Sequence, residues 1–204
     1  MRVYAYIDGF NFYYGALKDT PYKWLDLKAM LVQLLPSHFK IERIKYFTAR
    51  VNGKVDPDAP RRQQAYLKAL ETCIPEIKIY YGHFMTHRVP MPHARTKKKV
   101  TVLKTEEKGS DVNLAVHILN DGWLGRYDCA VVVSNDSDLA ESLKIVSKHL
   151  GKAVGVVQIS PKWRVSRQLQ KHSTFVYRIR KGVLAASQLP NPVPGTKIIK
   201  PPVW

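Results

Sequence analysis

Acid is scarce in this chain of 204 residues. Asp and Glu number 16 against 33 Lys and Arg, for a formal charge of +17, and no acidic residue follows Glu141. Cysteine is scarcer still. Only Cys73 and Cys129 occur, which excludes a disulfide framework and fits buried thiols in a reducing, cytoplasmic setting. No apolar run approaches a membrane span. Met1 to Asp8 is too short for a secretory leader and ends on a carboxylate, so no membrane partner is expected. There is no internal repeat. What is present is a 45% hydrophobic composition, enough for a sizeable core in one domain. The excess of positive charge makes polyanions the leading partner class.

One stretch organises the rest. Cys129 to Val133 is a continuous β-branched apolar run, as in a strand buried on both faces. Ser134-Asn-Asp-Ser-Asp138 follows, and then Leu139, Leu143 and Val146 recur at helical spacing. Strand, acidic turn and helix make one βα unit. In open α/β sheets ligands bind beyond the carboxyl ends of the strands, so this turn is where chemistry is expected.

The remaining pattern alternates in the same way. Arg2 to Ile7 reads as a strand ending at Asp8-Gly9-Phe10-Asn11. Asp8 there is either a metal ligand or the cap of the next helix. Trp24 to Leu35 is an amphipathic helix capped by Asp26 and stopped by Pro36. Ile41 to Thr48 alternates as a strand. Arg61 to Leu70 is a helix with Arg61, Arg62 and Gln63 in its first turn, where basic side chains oppose the helix dipole and an anion would relieve the conflict. Glu76 to Gly82 is a third strand.

Thr86 to Lys99 is Pro- and Lys-rich and reads as a long connecting flap, with Lys97, Lys98 and Lys99 as candidate nucleic-acid contacts. Zinc is not expected from His83, His87 and His93, because no cysteine accompanies them and the spacing matches no standard ligand set. A helix starts near Ser110 or Asp111. Ala153 to Ile159 is a further strand, Trp163 to Gln170 a short helix or loop, and Phe175 to Ile179 an edge strand. Residues 1–185 are expected as the domain and 186–204 as a Pro-rich basic tail, extended and without a core of its own.

This alternation predicts a three-layer α/β/α fold with a mostly parallel sheet. In that architecture Asp8, Asp111, Asp136 and Asp138 can converge on one rim. Four carboxylates brought together repel. Mg²⁺ or Mn²⁺ removes the repulsion, prefers oxygen ligands, and completes its shell with substrate phosphate. An acidic centre in a basic hull is the arrangement expected for cutting a phosphodiester.

Three segments carry a family resemblance. Asp8-x-x-Asn11, Lys108-Gly-Ser-Asp111-Val-Asn113 and Val133-Ser134-Asn-Asp136-Ser-Asp138-Leu139 resemble the signatures of NYN-domain proteins, the LabA-like branch of the PIN-like nuclease superfamily. Arg61-x-Gln63-x-x-Tyr66 and Tyr81-Gly82-His83-Phe84 resemble further blocks of the family. The resemblance implies a PIN-like fold and metal-dependent RNA cleavage. Asp8, Asp111, Asp136 and Asp138 would be the catalytic metal ligands, Asn11 and Ser134 the site's support, and Lys108 and Arg61 substrate contacts. His117 stands where many relatives carry a further Asp, implying a leaner ligand set.

RNA is thus the expected partner, with DNA and a homodimer left open. An RNA-binding protein with a weak or inactive NYN domain is the second reading. An aspartyl phosphatase, suggested by Asp136-x-Asp138, ranks last, because the first strand supplies only Asp8 where that chemistry wants a pair.

Overall fold

The computed structural model describes residues 1–54, 56–160 and 164–204. Seven strands form one sheet in the order β4-β3-β2-β1-β5-β6-β7. They are β1 (Arg2–Asp8), β2 (Lys40–Ala49), β3 (Ile77–Pro92), β4 (Lys99–Lys108), β5 (Cys129–Val133), β6 (Ala153–Gln158) and β7 (Phe175–Arg178). Every pairing is parallel except β3 with β4. The expected α/β architecture is the one observed, and β7 lies at the expected edge.

Side-chain alternation builds the layers. Val3, Ala5 and Ile7 of β1 and Val131 and Val133 of β5 enter one core. Tyr6, Ala130 and Val132 enter the other. The first core is covered by α2 (Leu27–Leu34), α3 (Ala59–Cys73) and α7 (Lys181–Ala186). The second is covered by α4 (Ser110–Trp123), through Leu114 and Ile118, and by α5 (Ala140–Lys144), through Leu143. Each fully buried Val, Leu or Ile contributes roughly 1.5–3 kcal/mol, so the two central strands anchor both layers. Asp26 caps α2 as expected, accepting a hydrogen bond from the Ala29 N–H at 2.9 Å.

Two regions depart from the sequence reading. The expected flap is a hairpin arm: β3 runs on to Pro92 and pairs with β4 from His83↔Lys108 to Pro92↔Lys99. Beyond Gly82 the arm has left β2, and it is exposed on most of its length. Ten pairs span roughly 30 Å. Edge pairing tolerates Pro90 and Pro92, which masked the strand in the sequence.

The tail, expected to be extended and without a core of its own, packs into the core of the domain. Leu189 and Val193 are buried in the first core, and the Trp204 ring packs 5.7 Å from Trp24 and 5.6 Å from Tyr66. Where Trp163 to Gln170 reads as a short helix or loop, the structure has the helix α6 (Arg167–Lys171); Trp163 lies outside the described residues.

Candidate active site

β1 and β5 are neighbours, with Ile7 opposite Val133, so the turns that follow them meet at the carboxyl rim. Asp8 is the last residue of β1 and is only 4% exposed. Its Oδ1 accepts from the Asn11 N–H at 3.0 Å, capping α1 (Gly9–Phe12). Its Oδ2 accepts from the Ser134 hydroxyl at 2.9 Å. The Ser134 Oγ also accepts from the Asp136 N–H at 3.1 Å, and Asn11 Oδ1 accepts from the Asn135 N–H at 3.0 Å. Asn11 and Ser134 therefore stitch the two turns together. The Asp136 carboxylate accepts from the Asp138 N–H at 3.0 Å and starts the next helical turn.

The third element at the rim is α4. Gly109, at φ 93°, turns the chain from β4 straight into the helix, in a region that L side chains avoid. Glu107 accepts from both the N–H and the hydroxyl of Ser110, at 3.2 and 2.6 Å, which fixes the helix start. Asp111 then sits in the first turn, where the dipole favours a negative charge.

A cavity of about 270 Å³ results, lined by Asp8, Asn11, Asp111 and Asp136 together with Phe10, Tyr14, Phe84 and Glu107. Three of the four expected aspartates meet there. Asp138 is exposed and does not line the cavity, although its charge acts on Asp111. Glu107 was not foreseen. Its sequence signal was only an acid beside Lys108-Gly109, without the strand-to-helix turn that aims it.

The charges oppose one another. Burial pushes Asp8 up to about 6, with repulsion from Asp111 and Asp136 adding to it, while the Asn11 and Ser134 hydrogen bonds pull the other way. Asp111 is raised by burial and then by Asp136, Glu107 and Asp138. Among the described residues no three acidic, His or Cys side chains already stand as a group able to hold a metal ion. The donor set is nevertheless all oxygen and mutually repelled, a condition that a hard divalent cation relieves, so these residues fit such an ion.

The expected basic contacts lie further out. Lys108 is exposed and pairs with Glu106 at 3.3 Å. Arg61 is exposed on α3 and lines neither this cavity nor the one beside it. Lys97, Lys98 and Lys99 are exposed at the tip of the arm. His117 is not at the rim. Its Nδ1 lies 3.2 Å from Lys45 Nζ and its ring 4.2 Å from the Tyr80 ring, beside the buried Lys45–Asp121 ion pair. The substitution that suggested a leaner ligand set thus sits in a different cluster.

Comparison with known proteins bears on the family and the fold. The chain is 35% identical to a Pseudomonas putida protein named 6-hydroxy-3-succinoylpyridine 3-monooxygenase, over 100% of this chain and 75% of that protein. A Vibrio parahaemolyticus protein of unknown function shares the fold, with a TM-score of 0.57 and 13% identity over 88% of this chain and 93% of that one. The family model described as the NYN domain matches residues 2–179. The chain therefore belongs to the NYN domain family, a PIN-like, nuclease-type family whose members typically use divalent metals on nucleic acid.

Proposed function

We propose that the protein is a Mg²⁺- or Mn²⁺-dependent endoribonuclease acting in the cytoplasm. One observation carries the reading: Asp8, Asp111 and Asp136 come from three separate elements to line one cavity, inside a chain of charge +17. Asp8, Asp111 and Asp136 would hold the ion, with Asp138 completing the acidic set. When bound, such an ion supplies a Lewis acid and an activated water for phosphodiester hydrolysis.

The chain's own groups prepare the site. Ser134 and Asn11 hold Asp8 and the Asp136 turn in place, which limits the reorganisation left to ion and phosphate binding. Burial and the neighbouring carboxylates raise Asp8 in the metal-free protein, and a bound cation would favour its ionised form. Lys108 near the rim, and Arg61 and Lys97 to Lys99 further out, would hold the polyanion by screened attraction.

The test is cleavage of single-stranded and structured RNA by purified protein, with Mn²⁺ or with EDTA. The expected result is turnover in Mn²⁺ only, reduced at least about a hundredfold in Asp136→Asn. Equal cleavage by that variant and the wild type would sink the proposal. The same assay with DNA fixes the preference.

A second reading rests on an aromatic cavity next to the rim, lined in part by Tyr13, Tyr46, Tyr66 and Trp204, and on the name of the Pseudomonas relative. It would make the substrate a substituted pyridine. Consumption of that pyridine by the protein, with RNA left intact, would favour it.

A further inference from the structure

The aromatic cavity shares a wall with the acidic one. Phe10 and Tyr14 line both. Its volume is about 380 Å³, within the range of small-ligand sites. It lies between the turn after β1, the C-terminal end of β2 and the first turns of α3, and Trp204 closes one side.

Its chemistry is that of a site for one flat, polar ring. Tyr13 and Tyr14 stand edge to face at 5.3 Å, and Tyr66 and Trp204 do so at 5.6 Å. Such walls stack a ring without regard to its substituents. The floor adds one polar group. Tyr46 is 7% exposed, and its phenol end lies against Gly9, which also lines the cavity. Among the described residues no protein group hydrogen-bonds this hydroxyl, and because Tyr46 lines the cavity the hydroxyl is free to meet a polar edge of a bound ring. Gln63, by contrast, is fully engaged with Val51 and Ala49. Cations stand around the cavity: Lys18, whose Nζ lies 5.3 Å from the Tyr14 ring centre, Lys23, and Arg62, which is paired with Asp56. A ring with an attached anion matches that set.

We propose that this cavity takes the base of the nucleotide next to the phosphodiester held at the acidic rim, with Tyr46 reading a polar edge of the base. The inference rests on the nuclease reading for the identity of the ring. The shared wall of Phe10 and Tyr14 places sugar and phosphate between the two cavities. The protein therefore prefers an unpaired strand, since a base inside a duplex cannot turn into a closed pocket.

The test measures binding without turnover, so it stands apart from catalysis. Full-length protein in EDTA is titrated with the four nucleoside 5′-monophosphates, a short RNA oligonucleotide and benzoate. Two variants are compared with the wild type. Tyr46→Phe removes the hydroxyl, and Ala59→Phe, at the start of α3, fills the cavity from its wall. Circular dichroism and melting confirm that both are folded.

The expected result is saturable binding of at least one monophosphate. Ala59→Phe should weaken it about tenfold or more, and Tyr46→Phe should change the ranking among the four bases. Oligonucleotide affinity should fall in parallel. The proposal is overturned if no monophosphate binds, if both variants bind like the wild type, or if benzoate binds as tightly as any nucleotide and competes with it. Loss of RNA cleavage in Asp136→Asn with monophosphate binding intact would support both readings. Monophosphate binding in a protein that cuts nothing would keep the pocket and remove the nuclease.

Discussion

At the scale of the residue, Asp8 carries two jobs that the sequence left open between cap and ligand. Its Oδ1 caps α1 and its Oδ2 takes the Ser134 hydroxyl. The ligand role remains the proposal, and it has a cost that can be measured. With its folded value near 6 against an ordinary 3.8, the folded state holds a proton on Asp8 that the unfolded chain has already released. Asp8's contribution to stability is therefore greatest below about 4, falls as pH rises through 6, and stays lower above it. The span of about two units corresponds to roughly 3 kcal/mol. Asp8→Asn is expected to reduce that fall, leaving the smaller part due to Asp111, and to stabilise the metal-free protein at pH 7.5 by roughly 1–3 kcal/mol. Urea unfolding from pH 4 to 8 in EDTA checks it, and parallel pH profiles for the two proteins would remove the buried-charge account. The sequence showed that Asp8 ends a strand. It did not show Ser134 as the shared partner of Asp8 and Asp136, because that contact joins residues 126 apart.

At the scale of the element, the β3–β4 arm is where sequence and structure part most. Gly82 and Lys108-Gly109 were legible as family blocks, but Thr86 to Lys99 read as a flap. Its prolines and lysines suppressed the strand signal, and only cross-strand pairing, which no single segment displays, restores it. Gly82 is tied to the site through this arm. A Cβ there would lie 2.2 Å from Glu107 Oε1 and 2.5 Å from the Lys108 carbonyl oxygen, so Gly82→Ala must displace the start of α4 and with it Asp111. The expected cost is roughly 1–3 kcal/mol of stability, with a loss of activity larger than that at Gly125→Ala. Gly125 has open space around it, and its φ of 63° strains only its own turn. Comparing melting temperature and cleavage rate for the two variants decides the point. Equal activity loss would mean that the arm does not position the rim.

At the scale of the whole molecule, the layered fold was readable because β5 is apolar throughout, β1 is apolar or aromatic between its charged ends, and the strands alternate with helical patterns. The rim was readable in part. The four aspartates stood at strand ends and a helix start, and three of them meet at the cavity. Glu107, Asp138's outward placement and the off-site position of His117 depend on tertiary geometry.

The basic hull makes its own prediction. Lys97, Lys98 and Lys99 lie at the far end of an arm roughly 30 Å long, away from the acidic cavity, so they act on RNA that extends beyond the cut. Replacing all three by Ala should lower the slope of log affinity against log salt by about 2 and leave the cleavage of short oligonucleotides nearly unchanged. An unchanged slope would show that the arm does not touch the strand.

The central claim is that Asp8, Asp111 and Asp136 share one divalent cation. Anomalous diffraction from a crystal soaked in Mn²⁺ tests it most directly. The account predicts a manganese peak bounded by those three carboxylates and lost in Asp111→Asn. A peak held elsewhere, or none at all with the three side chains pointing away from one another, would contradict it.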